Sequence, residues 1–215
     1  MAGLSDAHRR EILANARRRR FRTREVVFHE GDPADSVHVV LSGRFAAKST
    51  TAMGRVAIVA LFGPRGLFGE LAMVDRTAHR SATVYALEPG ETISLDREQF
   101  EDVRTTNPGA DRLLVEILAA KVRDNSVVLV EALCERAEVR VLRRLVYAAE
   151  FWGALGPGGG TVALTQDDLS GFAGTTRPTV NKVLAEAEQA GLVRTGRGHV
   201  NIIDPTGLKH RAGIR

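Results

Sequence analysis

The chain has 215 residues, enough for two cored domains, with 44% apolar and 26% charged residues and a formal net charge of +4. That is an ordinary globular composition, and its mild excess of cations fits a polyanionic partner without requiring one. The single Cys134 excludes an internal disulfide framework and any cysteine-rich zinc or iron–sulfur site within one chain. No segment has the pattern of a signal peptide or a membrane span, so the expectation is a cytoplasmic protein with no membrane partner.

In chain order, residues 4–19 read as a short amphipathic helix with Leu4, Ile12 and Leu13 inward. The run Arg17 to Arg20, with Arg22 and Arg24 behind it, reads as the solvated end of that helix and the lead-in to a strand. A contact with nucleic acid or an acidic partner is the alternative. The period then changes. Glu25–His29, Val37–Leu41, Arg44–Lys48, Val56–Phe62, Ser81–Leu87 and Glu91–Leu95 are short strands punctuated by Gly/Pro turns. Many short strands at regular spacing predict an antiparallel barrel or jelly roll. Asp96–Val103 follows as a short helix.

Asn107-Pro108 reads as a helix start, with Asn as cap and Pro at the first helical position, and nothing breaks that helix before about Ala137. Leu114, Ile117, Leu118, Val122, Val128, Leu129 and Ala132 recur at three- and four-residue steps. The stripe is ~40 Å long at 1.5 Å per residue, longer than one small barrel needs, so part of it is expected to pack against a copy of itself. Asp124-Asn125-Ser126 interrupts the apolar seam. Such residues fix register or reach toward a ligand held by the barrel.

Glu138–Phe151 is a further helix, with Arg140, Arg143 and Arg144 making one side basic. After a glycine-rich loop, Thr165 to Asp168 forms a capping-box-like start for a helix running Asp167–Ala173. Gly174-Thr175-Thr176 turns the chain into a second helix, Arg177–Ala190, which stops at Gly191. Leu192–Arg194 and Val200–Ile203 flank a hairpin with a basic tip at Arg197. Helix, glycine turn, helix and basic hairpin make a winged helix-turn-helix, whose second helix enters the major groove while the wing reaches the phosphate backbone. The candidate DNA-contacting residues are Thr175, Thr176, Arg177, Thr179, Asn181, Lys182 and Arg197. Hydroxyls and a helix N-terminus bind phosphate, Arg177 suits guanine and Asn181 suits adenine. Val180, Val183, Leu184 and Ala187 point inward.

The stretch LTQDDLSGFAGTTRPTVNKVLAEAEQAGLV is similar to the helix-turn-helix of the CRP/FNR family of bacterial transcription regulators, and the resemblance covers nearly the whole chain. It also assigns FGELAMVDRTAHRSATV, residues 68–84, which resembles that family's phosphate-binding cassette. A structural salt bridge between Glu70 and Arg80 is the plainer reading of the same residues. The cassette chemistry is coherent on its own terms. A cyclic phosphate has one negative charge and two free oxygens, matched by the Arg80 guanidinium, the Ser81 hydroxyl and adjacent backbone N–H groups. Glu70 suits a free ribose 2′-OH, Gly69 lets the backbone approach closely, and Leu71 and Ala82 would line the pocket, with residues 72–79 setting the separation. The resemblance further implies that Asn125 and Ser126 contact the adenine, Ser126 from the opposite subunit. The family's best-known member has an acidic residue after the reading arginine and a second arginine beyond it. This chain has Pro178 and Lys182, so the same operator is not implied.

The expected fold is α+β: a cyclic-nucleotide-binding β-roll (jelly roll) over 1–107, a dimerisation helix and hinge over 108–137, and a winged helix-turn-helix over 138–215. The expected function is a homodimeric regulator that binds cyclic AMP, reorients its DNA-binding domains about a hinge near Glu135–Glu138, grips double-stranded DNA and meets RNA polymerase. Two rivals keep the fold: a haem or redox sensor using His29, His38 or His79, and a ligand-independent DNA binder. An enzyme is not expected, since no Ser/His/Asp constellation, metal-ligand spacing or Walker loop is present.

Overall fold

Short strands joined by glycine turns build the first half of the chain in the computed structural model, which describes residues 16–71, 79–107 and 109–214. In chain order they are β1 (Arg17–Phe21), β2 (Val26–Phe28), β3 (Ser36–Ser42), β4 (Phe45–Thr50), β5 (Val56–Phe62), β6 (Leu67–Phe68), β7 (Thr83–Ala86) and β8 (Gly90–Asp96). One sheet has the order β1-β8-β3-β6 and the other β2-β7-β4-β5, the two faces of a roll. Between them lies an aromatic core. Phe68 sits within 5.2–5.9 Å of the rings of Phe28, Phe45 and Phe62, and the His38 ring stacks on it at 5.1 Å. Gly43, at φ +77°, closes the β3–β4 turn where a Cβ would lie 2.5 Å from the Gly90 Cα, so no other residue fits without moving one of two turns.

Three expectations change at this level. Arg17–Phe21 is an edge strand, paired antiparallel with β8 from Arg17↔Ser94 to Phe21↔Gly90, and not a helix end. A strand separates the adjacent arginines onto two faces, and Glu91 answers one of them by accepting from Arg18 (2.7 Å) and Arg20 (3.2 Å). The hydrogen bond from Arg18 is the main reason the Glu91 carboxyl is held below the usual carboxylate range. The rest of the expected N-terminal helix, with Leu4, Ile12 and Leu13, lies outside the described residues, as do Pro108 and the spacer over 72–78. Asn107 closes the preceding helix, α1 (Arg97–Thr106), as well as leading into the next, where its carbonyl accepts from the Ala110 N–H at 2.9 Å. Its amide donates back to the Val103 carbonyl at 3.1 Å, because that carbonyl is one of the orphaned acceptors of a helix end. The next helix, α2 (Gly109–Cys134), ends slightly before the expected Ala137. None of its described residues is buried within the single chain.

The chain divides by contact density into two units: residues up to Ser49 together with Ala60–Ser126, and Thr50–Val59 together with residues from Val127 onward. In the second unit come α3 (Ala137–Phe151), β9 (Gly160–Val162), α4 (Gln166–Ala173), α5 (Arg177–Gln189), β10 (Val193–Gly196), β11 (His199–Ile202) and α6 (Pro205–Arg211). Thr165 caps α4 in a reciprocal box with Asp168, and Gly174 ends it in the left-handed region at φ +59°. The wing strands pair as β10-β11-β9, a three-stranded sheet where the sequence showed only a hairpin. The helices α3, α4 and α5 pack on one another, burying Val141, Leu145, Leu169, Val180, Val183 and Leu184. No helix among the described residues is long and apolar enough to cross a membrane.

Three arginines on α3 bind the end of α2 to this domain. Arg140 donates to the Glu135, Ala173 and Gly174 carbonyls at 2.8–3.0 Å. Arg143 pairs with Glu131 and Glu135, and Arg144 pairs with Glu131 while lying over the Phe172 ring. Arg144 is buried, so its charge depends on that carboxylate.

Truncating the aromatic hub, Phe68→Ala, should cost about 3–5 kcal/mol in urea-induced unfolding of the roll. Glu131→Gln should cost about 3 kcal/mol in the same measurement by leaving Arg144 buried without its carboxylate.

Candidate functional site

Backbone holds the Arg80 segment against the Gly31–Pro33 turn, and β6, just before Gly69, against β3. Arg80 N–H donates to the Asp32 carbonyl at 2.9 Å, Gly31 N–H donates to the Arg80 carbonyl at 2.8 Å, and Pro33 bridges His79. These bonds fix the Arg80 Cα against the turn that leads into β3. Gly69 adopts φ +82°, and a Cβ there would lie 2.8 Å from both Arg80 Nη1 and the Ser36 carbonyl oxygen. Glycine is therefore required twice, by its conformation and by the guanidinium beneath it.

Glu70 and Arg80 are among the few buried charged residues of the roll, at 4% and 5% exposure. They are not each other's partner. Glu70 pairs with Lys121 on α2 at 2.8 Å, and the same ammonium donates to the Leu67 carbonyl at 3.2 Å. Arg80 is held by β3 and the residue before it: Nη1 donates to the Ser36 carbonyl (2.7 Å), and Nη2 donates to Asp35 Oδ1 and Ser36 Oγ (both 2.9 Å). The guanidinium lies 4.0 Å from the Phe28 ring centroid, a cation–π contact. Its Nε–H is buried and meets no acceptor among the described residues. Burial is the main influence on this guanidinium and pushes its pKa down against the opposing pull of Asp35.

A cleft of about 540 Å³ opens on Arg80 from the β3 side, lined also by Arg17, Arg19, Asp32, Asp35 and His38. Neither Glu70 nor Ser81 lines it. Of the other expected ligand contacts, Ala82 is buried while Leu71, Ser81, Asn125 and Ser126 are exposed. Ser126 Oγ donates to the Val122 carbonyl of its own helix at 2.8 Å. Lys121, Asp35 and Ser36 were not anticipated. Lys121 stands one helical turn before Asn125, so α-helical spacing could have flagged it. Asp35 and Ser36 reach Arg80 only through strand pairing, which leaves no local signal.

His38 is committed to the fold. Its ring nitrogens hydrogen-bond with Thr92 Oγ1 (3.2 Å) and Ser36 Oγ (3.4 Å), which leaves none for a haem iron. Burial first, then the Arg80 and Arg19 charges, push its pKa down to about 3. His29 and His79 are exposed.

On the winged domain, the expected DNA-contacting residues gather at the start of α5 and at the wing tip. Thr176 caps α5, accepting from Thr179 N–H at 3.4 Å, and the two hydroxyls meet at 3.0 Å. Thr175 is half-buried, and its N–H donates to the Ser170 carbonyl at 3.0 Å. Arg177, Asn181 and Lys182 are exposed on one side of the helix, opposite the buried Val180, Val183, Leu184 and Ala187. Arg177 Nη1 is 3.5 Å from Asp167 Oδ2, both exposed, a pair that water and salt weaken. Arg197 stands exposed in the β10–β11 turn, and Glu188 on α5 accepts from the Thr195 N–H (3.0 Å) and hydroxyl (3.2 Å), which ties the wing to the helix.

Residues 18–107 match the model of the cyclic nucleotide-binding domain, and residues 139–211 match that of the Crp-like helix-turn-helix domain. The chain is similar to the cyclic AMP receptor protein of Thermus thermophilus, at 30% identity over 88% of this chain and 85% of that one. It is also similar to the CRP-like cAMP-activated global transcriptional regulator of Mycobacterium tuberculosis, at 28% identity over 86% and 84%. Among solved structures, the c-di-GMP responsive global regulator CLP of Xanthomonas campestris superposes with a TM-score of 0.80 over 94% of this chain and all of that one. At 22% identity that likeness shows the fold alone.

The His38 environment makes a pH prediction. A free imidazole titrates near 6.5, so between about 6.5 and 3 the unfolded chain binds a proton that the folded chain refuses. Stability should therefore fall as pH drops through that window, and His38→Phe should flatten this part of the fall in thermal unfolding. By NMR, the His38 ring should remain neutral at pH 5.

Proposed function

The chain belongs to the CRP/FNR family, DNA-binding transcription regulators and not enzymes, and on that premise we propose that it is a homodimer that senses cyclic AMP and answers by sequence-specific DNA binding. The observation that carries the ligand reading is the buried Arg80 beside Gly69, with an Nε–H that meets no acceptor among the described residues and a buried carboxylate, Glu70, next along the chain. A buried guanidinium with a donor to spare is matched to a phosphate, and Ser81 with its neighbouring N–H groups would complete that grip. Glu70 would accept from the ribose 2′-OH. Because Lys121 already pairs with Glu70, a sugar there would act directly on α2, one turn from Asn125 and Ser126. The two similar proteins named for cyclic AMP support this choice of nucleotide.

The surface of α2 supports the dimer. Val115, Ala119, Val122, Ser126, Leu129 and Leu133 follow one another at alternating steps of four and three, the seam of a two-stranded coiled coil. Val115, Val122, Leu129 and Leu133 are all exposed in the single chain. Ser126 falls in the middle of this seam, where ligand contact and helix pairing would meet. Two copies of α5 would then enter successive major grooves, about 34 Å apart, with Arg177 and Asn181 reading bases and Thr175, Thr176, Thr179, Lys182 and Arg197 holding phosphates. RNA polymerase is the partner such a regulator would meet on DNA.

Calorimetric titration of the purified protein with cyclic AMP tests the sensor. Saturable binding is expected, and Arg80→Ala should weaken it by at least about tenfold, the loss of one charge-assisted hydrogen bond or more. No binding at millimolar cyclic AMP would leave a DNA-binding regulator of another signal. Arg177→Ala should cost about 1–3 kcal/mol on the preferred DNA site and relax selectivity at one base pair in a binding-site selection assay.

A further inference from the structure

Arg80 has five N–H donors in one plane, and an anion can take two of them together only along an edge that includes Nη2. The two such edges are Nε/Nη2 and Nη1/Nη2, since Cδ blocks the third. Nη2 donates to both Asp35 Oδ1 and Ser36 Oγ, and Nη1 donates to the Ser36 carbonyl. The Ser36 hydroxyl itself donates to Asp35 Oδ1 at 2.9 Å, which closes a triangle of guanidinium, hydroxyl and carboxylate. A phosphate that takes Nη2 therefore meets a carboxylate and a hydroxyl already bonded to the same nitrogen.

The two acceptors on Nη2 differ. Ser36 is a neutral hydroxyl on a strand and can rotate in place. Asp35 carries a full negative charge, precedes β3, and leaves 82% of its side chain in water while its partner's is 3% exposed. A carboxylate in that position repels a second anion, yet it swings into solvent at little cost because it is already hydrated. The backbone bonds from Asp32 and Gly31 to Arg80 hold the two segments together whichever anion is present, so the exchange needs only side-chain movement.

We propose that Asp35 is an internal anion that competes with the nucleotide phosphate for the Nη2 edge of Arg80 and so sets the ligand concentration at which the protein responds. This rests on Arg80 as the phosphate-binding group. Asp35 acts on the ligand through Arg80 and is a residue that tunes affinity, not one that contacts the nucleotide. The opposite role is also physically coherent: Asp35 could orient Arg80 for the ligand, and removing it would then weaken binding. The two roles differ in sign.

The test compares wild type with Asp35→Asn, which keeps shape and an acceptor oxygen but removes the charge, and with Asp35→Ala, which removes both. Cyclic AMP affinity is measured by calorimetry, and the Arg80 Nε–H resonance is followed by NMR during titration with inorganic phosphate. Both variants should bind cyclic AMP about tenfold more tightly, the size of one screened charge-assisted contact. Their Arg80 resonance should respond at correspondingly lower phosphate. Unchanged or weaker cyclic AMP binding in both variants would overturn the proposal and leave the cyclic AMP reading standing. If cyclic AMP binds none of the three proteins but phosphate reaches Arg80 more easily in the variants, the competition holds and the cyclic AMP reading falls. An Arg80 resonance that ignores phosphate in all three proteins, with no cyclic AMP binding, overturns both.

Discussion

A guanidinium sunk to 5% exposure inside a small β-roll dictates much of what surrounds it. Burying such a charge is costly unless it is paired and hydrogen-bonded. Arg80 meets that demand with the start of β3, the Phe28 ring and a glycine at 69 that leaves room for it. The same charge helps keep His38 neutral, and the neutral ring then stacks on Phe68 at the centre of the aromatic core. Core, turn and the Gly69–Arg80 pair are thus one electrostatic unit.

The second buried charge ties the roll to α2. Glu70 meets Lys121, and Lys121 lies one turn before the polar break in the seam. Farther along, Glu131 and Glu135 at the end of α2 are held by Arg140, Arg143 and Arg144 of α3. The middle and the C-terminal end of this helix are therefore fastened by ion pairs and backbone acceptors, while its apolar stripe is left facing outward.

Much of this could be read in the residues alone. Alternation and Gly/Pro punctuation revealed the roll, the uninterrupted three- and four-residue period revealed α2, and Thr165, Gly174 and Thr176 marked the helix-turn-helix by their capping chemistry. What escaped was non-local. Arg17 to Arg20 have no apolar period, and their counter-charge, Glu91, lies far along the chain. Asn107 suits the start of the next helix by its type, and only the Val103 carbonyl reveals that its side chain also closes the one before. The third wing strand β9 is three residues long beside a glycine-rich loop, and α6 has only seven residues. Glu70 and Arg80 stood out because charge so rarely sits in such a segment. Their actual partners, Lys121 and Asp35, could not be found without knowing which strands and helices touch.

On the proposed function, a nucleotide at Arg80 and Glu70 changes the grip of α5 on DNA. The most direct measurement is the affinity of the protein for its preferred DNA duplex, by fluorescence anisotropy at fixed salt, with cyclic AMP absent and then saturating. The account predicts a change of about 5- to 150-fold, the usual range of allosteric coupling, with a midpoint that follows the calorimetric affinity for cyclic AMP. Equal DNA affinity in both conditions, with cyclic AMP demonstrably bound, would contradict it.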